Sequence, residues 1–179
     1  MDDFLTQLPS ILQSTYFRLN PLNPTNTEDN YQELLRINLE KLHYTVYSEV
    51  SVQKTTHDIH KNLVKLKNKT ERHDLTLDSL GILMELKNLV DLDDYCVHQM
   101  LSYLDHSAYN YGILINFAKS NKKNDYRCSF RVYQKNTPIV ATDQFGHEYT
   151  RYSYTLIREF SGDNYTDLFP TIVSTIPSS

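Results

Sequence analysis

Glycine and cysteine are both scarce in this chain of 179 residues, which contains four glycines and two cysteines. It has no glycine-rich stretch of the kind that cradles nucleotide phosphates, and this argues against an enzyme driven by a nucleotide. The cysteines, Cys96 and Cys128, do not stand at the spacing of metal ligands, and two cysteines make no disulfide framework. We expect two small apolar side chains in a reduced, intracellular protein of the cytoplasm or nucleus.

An excess of positive charge is also lacking. The 18 Lys and Arg stand against 22 Asp and Glu, for a formal net charge of −4, so no overall positive field draws the chain to nucleic acid or to a membrane. Its apolar runs are shorter than the roughly 18 residues that suggest a membrane-spanning helix. The opening MDDFLTQ lacks the basic and apolar regions of a signal peptide. The sequence predicts a protein that is not secreted and does not bind membranes.

Apolar residues make up 40% of the chain, enough for one domain core with or without an appendage. Their spacing predicts a helix within 1–20, interrupted near Pro9, and a second helix from Thr25 or Thr27 to about His43. A third helix is predicted from a cap at Asp93 or Asp94.

Short segments typical of strands lie between the second and third helices, at 44–52, 73–78 and 80–88, and after the third helix, at 109–118. The polar segment 53–72 between the first two is expected to be irregular or a hairpin. Helix, three strands, helix and strand predict a mixed α/β sheet with helices packed on it.

After Ala118 the composition changes to two segments rich in Tyr and Arg, 126–135 and 147–160, which are typical of strands. We therefore predict a core over 1–118 and a β-rich C-terminal extension over 119–179, which packs on the core or forms an oligomer interface. Strand pairing between two copies of SYTLIREF is one route to a homodimer.

Residues 72–89, RHDLTLDSLGILMELKNL, place charged side chains within apolar strands. Glu85 and Lys87 are two residues apart, so they face the same way at about 6.6 Å along a strand. If the strand carrying Asp74 pairs with them as a hairpin, two carboxylates meet, and the natural partner of such a pair is a hard divalent cation. Two carboxylates and a lysine around Mg²⁺ can hydrolyse phosphodiesters. The alternative is three solvated side chains on an edge strand.

The order of several short segments resembles the PD-(D/E)XK nuclease superfamily, and in particular its GxxExxY-type proteins. The similarity covers about residues 25–118, with Thr25 in place of the first glycine of the GxxExxY motif. The segments that carry it are TNTEDNY, YQELLRINLEKLHYTVYSEVSV, RHDL, ILMELK, VHQMLSYL and YGILINF.

This resemblance implies a restriction-endonuclease-like core, a mixed central sheet flanked by helices. It implies that Asp74, Glu85 and the backbone carbonyl of Leu86 bind Mg²⁺, for which Mn²⁺ can substitute. It further implies that Lys87 positions the attacking water and that Glu28 faces the site from its helix.

The same resemblance assigns a role to Gln99 and Tyr103, which are four residues apart and so share a helix face. They would flank the pocket and contact the phosphate or orient Lys87. The implied activity is metal-dependent hydrolysis of phosphodiester bonds, with DNA as the expected substrate. The alternative is a catalytically inactive protein of the same fold that serves as a nucleic-acid-binding or assembly subunit.

Two basic segments could hold the phosphates of a nucleic acid if they flank the carboxylates; solvated loops are the equally weighted alternative. The candidate binding residues are Lys61, Lys65, Lys67, Lys69, Arg72, Arg127 and Arg131. Between the basic residues of the second segment stand Tyr126, Phe130 and Tyr133, which could stack on bases but are more often core or subunit-interface residues.

Overall fold

The computed structural model of the chain describes residues 1–19, 25–56, 67–118, 128–162 and 174–176. These ranges contain three α-helices and nine β-strands. The helices are α1 (Asp2–Arg18), α2 (Glu28–Lys41) and α3 (Asp94–Asp105). The strands are β1 (Tyr47–Thr56), β2 (Lys67–Leu77), β3 (Ile82–Lys87), β4 (Tyr111–Phe117), β5 (Cys128–Lys135), β6 (Ile139–Thr142), β7 (Glu148–Arg151), β8 (Tyr154–Gly162) and β9 (Ser174–Ile176).

Seven of these strands form one mixed sheet in the order β1-β2-β3-β4-β5-β8-β9. β3 and β4 are parallel, and α3 is the crossover between them, as a parallel pair requires. The other neighbouring pairs are antiparallel. The predicted mixed α/β sheet flanked by helices is confirmed. No helix in the described ranges is long and apolar enough to cross a membrane.

Side chains alternate between the two faces of β3, and each face has its own apolar core. Ile82, Met84 and Leu86 pack with residues of α1 and α2. Leu83, on the opposite face, packs with residues of α3 such as Met100. All of these side chains are buried. Because Glu85 and Lys87 share the parity of Leu83, they lie on the face that α3 covers.

The predicted interruption at Pro9 is wrong, since α1 runs through that residue. A proline inside a helix removes a backbone hydrogen bond and costs about 3 kcal/mol. The apolar stripe of α1 offsets this cost, because Phe4, Leu8, Leu12 and Tyr16 are each at most 1% exposed, and burying such a side chain is worth about 1.5–3 kcal/mol.

β1 and β2 extend well beyond the strands predicted at 44–52 and 73–78, and they pair from Tyr47↔Thr76 to Thr56↔Lys67. Only Leu75–Leu77 of β2 also pair with β3. Residues 50–56 and 67–73 therefore form a two-stranded arm that leaves the sheet, here called the β1–β2 arm. The polar segment 53–72 was expected to be irregular or a hairpin, and the antiparallel pairing of its described ends confirms the hairpin alternative. Such an arm needs no apolar face, so no apolar alternation in the sequence marks how far its strands extend.

The segment 147–160, predicted as one strand, is divided into β7 and β8. β6 and β7 form a separate two-stranded hairpin, whose turn contains Gly146 at φ +85°. In the main sheet β5 pairs with β4, and β9 pairs with Tyr154–Leu156 of β8. β9 thus occupies part of the edge through which two copies of SYTLIREF were expected to pair; a homodimer stays a prediction.

Candidate functional site

Asp74 and Glu85 are brought together where β2 leaves β3. The last pair of that ladder is Leu75↔Met84, so Asp74 falls opposite Glu85 one step further along. The Asp74 side chain takes the place of a ladder partner there, because its Oδ2 accepts a hydrogen bond of 2.5 Å from the backbone N of Leu86. The hairpin that was predicted to join the two carboxylates is present, and its strands separate at the carboxylates.

Lys87 is paired with Glu85 at this point. Its Nζ donates to Glu85 Oε1 at 2.5 Å, and the two side chains are 13% and 4% exposed. The other carboxylate oxygen, Glu85 Oε2, is buried without a hydrogen-bond partner among the described residues. A buried carboxylate oxygen without a partner is costly, and a bound ion or water is one arrangement that would satisfy it.

Burial makes it hard to ionise both carboxyls. It raises the pKa of Asp74 to about 6, helped by the Glu28 carboxylate and opposed by the Leu86 N–H and the Lys87 ammonium. Burial also raises the pKa of Glu85 to about 8, and the Asp74 carboxylate adds to this effect while Lys87 opposes it. Without a cation the pair favours a shared or retained proton.

Lys87 itself stays charged. Burial alone would lower the pKa of its ammonium, but the Glu85, Glu28 and Asp74 carboxylates together raise that pKa above its ordinary value. A lysine that keeps its proton at neutral pH acts as a hydrogen-bond donor and a positive charge. It is poorly suited to be the general base that removes a proton from water.

Asp74, Glu85 and Lys87 are here called the carboxylate cluster. Glu28 approaches it from the first turn of α2. A capping box between Thr27 and Asn30 stabilises that turn. In the next turn, Gln32 connects the helix to β2, because its Nε2 donates to the backbone O of Asp74 at 2.9 Å. The Glu28 carboxylate raises the pKa values of Asp74, Glu85 and Lys87. The structure therefore brings Glu28 within electrostatic range of the other three groups.

Gln99 and Tyr103 lie one turn apart on α3, and Gln99 Nε2 donates to the Tyr103 hydroxyl at 2.7 Å. Tyr103 is buried, whereas Gln99 is half-buried. Burial raises the pKa of the Cys96 thiol in the first turn of α3, and the positive charge of Lys87 opposes part of this rise. The first turn of α3 is therefore within electrostatic range of Lys87. The contact of this pair with a substrate or with Lys87 stays a prediction.

Arg131 lies on the same sheet face as Glu85, with Leu114 between them in the strand register. Two strand spacings put the backbones about 10 Å apart. The Arg131 side chain is held by Glu159, with Nε donating to Oε1 at 2.7 Å, and both are about one-third exposed. Its charge is largely neutralised, so Arg131 alone makes no positive patch.

The other basic candidates divide into two groups. The backbone positions of Lys67, Lys69 and Arg72 are on the β1–β2 arm, which ends at Asp74. Those outside the described residues are Lys61, Lys65 and Arg127, together with the candidate stacking residue Tyr126.

Base stacking on Phe130 and Tyr133 is ruled out, since both are buried in the two cores. The alternative interpretation of these aromatics as core residues is confirmed.

Asn116 is a site residue that the sequence analysis missed. It is 2% exposed and lies opposite Lys87 in the β3–β4 register. Its side chain binds the backbone of Leu89 twice, accepting from the Leu89 N at 3.0 Å and donating to the Leu89 O at 3.2 Å. The only signal in the sequence is one amide within the apolar strand YGILINF.

The groups available to bind a cation are the carboxylates of Asp74 and Glu85 and the backbone carbonyl of Leu86. In the part of the chain that the structure describes, no group of three or more His, Cys, Asp or Glu side chains is arranged to hold a metal ion. A strand residue directs its N–H and C=O to the same side, so the carbonyl of Leu86 faces the side on which Asp74 receives the Leu86 N–H. With the unpartnered Glu85 Oε2, this set suits a hard divalent cation that keeps several waters.

The raised carboxyl pKa values predict how stability depends on pH. A Glu whose pKa rises from 4.5 to about 8 on folding binds more protons when folded than when unfolded. The free energy of unfolding of the metal-free protein therefore decreases as the pH is raised from 4.5 to about 8. We expect Glu85→Gln to be more stable than wild type at pH 8 by about 1–3 kcal/mol, and equal near pH 4.5. Urea unfolding in EDTA measures this. Glu148→Gln, at an exposed position, should follow wild type, and an unchanged slope in Glu85→Gln would contradict the expectation.

Comparison with known protein families finds a match. The sequence profile of the PD-(D/E)XK nuclease superfamily matches residues 7–128, from α1 to the first residue of β5 and including each member of the carboxylate cluster. Comparisons with curated proteins and with solved structures found no match. Membership of the narrower GxxExxY type stays a prediction. The match covers more than half of the chain, and the chain therefore belongs to the PD-(D/E)XK nuclease superfamily.

Proposed function

We propose that the chain is a Mg²⁺-dependent nuclease that hydrolyses phosphodiester bonds of DNA. The observation that carries this proposal is the convergence of Asp74, Glu85 and Lys87 at the end of the β2–β3 ladder, with Glu85 Oε2 buried and unpartnered among the described residues. Superfamily membership gives nucleic-acid hydrolysis as the general chemistry. DNA and Mg²⁺ are the narrower parts of the proposal.

Asp74, Glu85 and the Leu86 carbonyl would hold the cation in this proposal. Bound Mg²⁺ supplies a Lewis acid for the phosphate and lowers the pKa of a bound water. The burial of both carboxylates concentrates their negative charge in a poorly solvated place, which favours a divalent ion over a monovalent one. Their hydrogen bonds to Leu86 and Lys87 fix the direction of one oxygen of each.

Lys87 would stabilise the negative charge that builds up on the phosphate oxygens and orient the attacking water. A protonated ammonium suits this role, since its strength depends on a charge positioned before the reaction begins. Glu28 would accept a hydrogen bond from a water near the same centre. Gln99, with Tyr103 behind it, would contact the phosphate from α3.

The arm would contribute binding. Lys67, Lys69 and Arg72, with Lys61 and Lys65, would contact phosphates distant from the scissile one, and Arg127 and Arg131 would do so on the other side. Because Glu159 holds Arg131, a phosphate must compete with that carboxylate for the guanidinium.

The proposal is tested by incubating the purified chain with single-stranded DNA, double-stranded DNA and RNA, each with Mg²⁺, Mn²⁺ or EDTA. We expect cleavage of DNA with either cation, none in EDTA, and none by Asp74→Asn. Equal cleavage by wild type and Asp74→Asn would point to a contaminant or another site. Failure of wild type to cleave any substrate, with DNA binding retained, would favour an inactive binding or assembly subunit.

A further inference from the structure

Three exposed apolar side chains lie between the end of β3 and the first turn of α3. Leu89, Val90 and Tyr95 are 39%, 63% and 73% exposed, and we call them the 89–95 platform. Tyr95 and Val90 are among the most exposed large apolar residues that the structure describes. Single exposed apolar residues are common on protein surfaces, but three within seven residues beside a candidate site can form a patch that binds a ligand.

The platform is held at both ends. Asn116 fixes the Leu89 backbone by two hydrogen bonds. The Asp93 side chain caps α3 by accepting from the Cys96 N at 3.0 Å, which orients the turn that carries Tyr95. A surface ordered before binding loses little entropy when a ligand settles on it.

The platform borders the carboxylate cluster. Leu89 follows Lys87 by two residues. Tyr95 is four residues before Gln99 and so shares its helix face, with Cβ atoms about 5–6 Å apart. Its neighbour Cys96 is within electrostatic range of Lys87. Because the proposed function has Gln99 contact the phosphate held at Lys87, Tyr95, one turn away on the same helix face, would lie within reach of that nucleotide or the next one.

The charges around the platform select the part of a nucleotide that can approach it. Asp91, Asp93 and Asp94 are exposed in the same segment of the chain and repel phosphates, whereas Lys87 attracts them. The arrangement favours a strand whose backbone lies towards Lys87 and whose base turns towards Tyr95. A base in a duplex is already stacked and paired, and freeing it costs a few kcal/mol.

We propose that the 89–95 platform stacks the base of an unpaired nucleotide beside the scissile phosphate, which makes single-stranded or unpaired DNA the preferred substrate. This inference rests on the proposed nuclease function. Tyr95 supplies the stacking ring, and Leu89 and Val90 supply apolar contact along its edge. Stacking on an aromatic side chain tolerates any base, so the preference is for unpaired structure and not for sequence.

The test measures dissociation constants by fluorescence anisotropy, with a labelled single-stranded oligothymidylate and a blunt duplex of mixed sequence as probes. Ca²⁺ is added in place of Mg²⁺ in these measurements, to occupy the proposed cation site. Tyr95→Ala is expected to weaken binding of the single strand by about 10-fold, within the range for one stacked base, and to leave duplex binding unchanged. Tyr95→Phe keeps the ring and should bind as wild type does. Tyr149→Ala, which removes an exposed tyrosine on β7, is the matched control.

Each outcome bears on one proposal or both. Equal binding of the single strand by Tyr95→Ala and wild type overturns the platform, and so does an equal loss for both probes. If that happens while wild type still cleaves DNA, the nuclease function stands alone. Tyr95-dependent binding without cleavage by wild type supports base stacking at the platform but overturns the nuclease function, and with it the placement of the base beside a scissile phosphate. Failure of wild type to bind either probe overturns both.

Discussion

Lys87→Met is expected to lower kcat for the proposed DNA cleavage about 1,000-fold, the upper end of the loss seen when one preorganised donor is removed from the transition state. The substitution keeps an unbranched apolar stem of similar length, with sulfur in place of Cδ, and removes the ammonium. The effect should be on kcat more than on KM, because the charge is most useful when negative charge builds up on the phosphate. Single-turnover cleavage of a labelled oligonucleotide with Mg²⁺ measures it.

Two comparisons separate this role from a general effect of losing a lysine. Lys41→Met removes an exposed lysine in the last turn of α2 and should cleave at the wild-type rate. Lys87→Met also removes the partner of Glu85, so the pKa of that carboxyl should rise further and cleavage should recover only in part at higher pH. A Lys87→Met protein within about tenfold of wild type would be incompatible with an electrostatic role at the scissile phosphate.

The core of the site could be predicted because its geometry is local. Glu85 and Lys87 are on one strand, where alternation fixes their common face, and Asp74 is on the next strand of a short hairpin. The sequence could not give the protonation of Lys87. That depends on Glu85, Asp74 and Glu28 acting together against burial, and on α2, which reaches β2 through Gln32.

Other features escaped prediction because distant contacts decide them. The helix through Pro9 depends on a buried stripe that meets the sheet. A hairpin at 53–72 was one of the two expectations for that segment, but the length of the β1–β2 arm depends on pairing that has no apolar pattern. Arg131 has a basic sequence context, but its partner Glu159 is on β8, which is distant from β5 along the chain and adjacent to it only in the sheet. Asn116 has no motif, since its function is to hold the backbone after Lys87.

The packing of α3 on the sheet connects fold and site, and it depends on Gly112. This residue lies in β4 beneath α3, where an added Cβ would be 2.5 Å from Leu104 Cδ1 and 2.7 Å from Met100 Sδ. Both neighbours are fully buried, so neither can move into solvent. Gln99 and Tyr103 flank these two residues on α3, and any displacement of the helix moves them as well.

Gly112→Val is therefore expected to lower the free energy of unfolding by about 3 kcal/mol, at the upper end of the cost of overpacking a core. Strand propensity alone predicts the opposite sign, because valine favours strands and glycine does not. Urea unfolding followed by circular dichroism distinguishes the two. Gly112→Ala, which adds only the Cβ, should lose less.

The contact with Leu104 gives this prediction its own control. Leu104→Ala removes the atom nearest to the new side chain, so it should cost less in the Gly112→Val background than alone, and the difference is the coupling between the two positions. Additive losses would mean that the introduced valine strains something other than α3. If the coupling is present, cleavage by Gly112→Val should also be impaired and should recover with Leu104→Ala, because the same clash that destabilises the fold would displace Gln99 from its proposed contact with the phosphate.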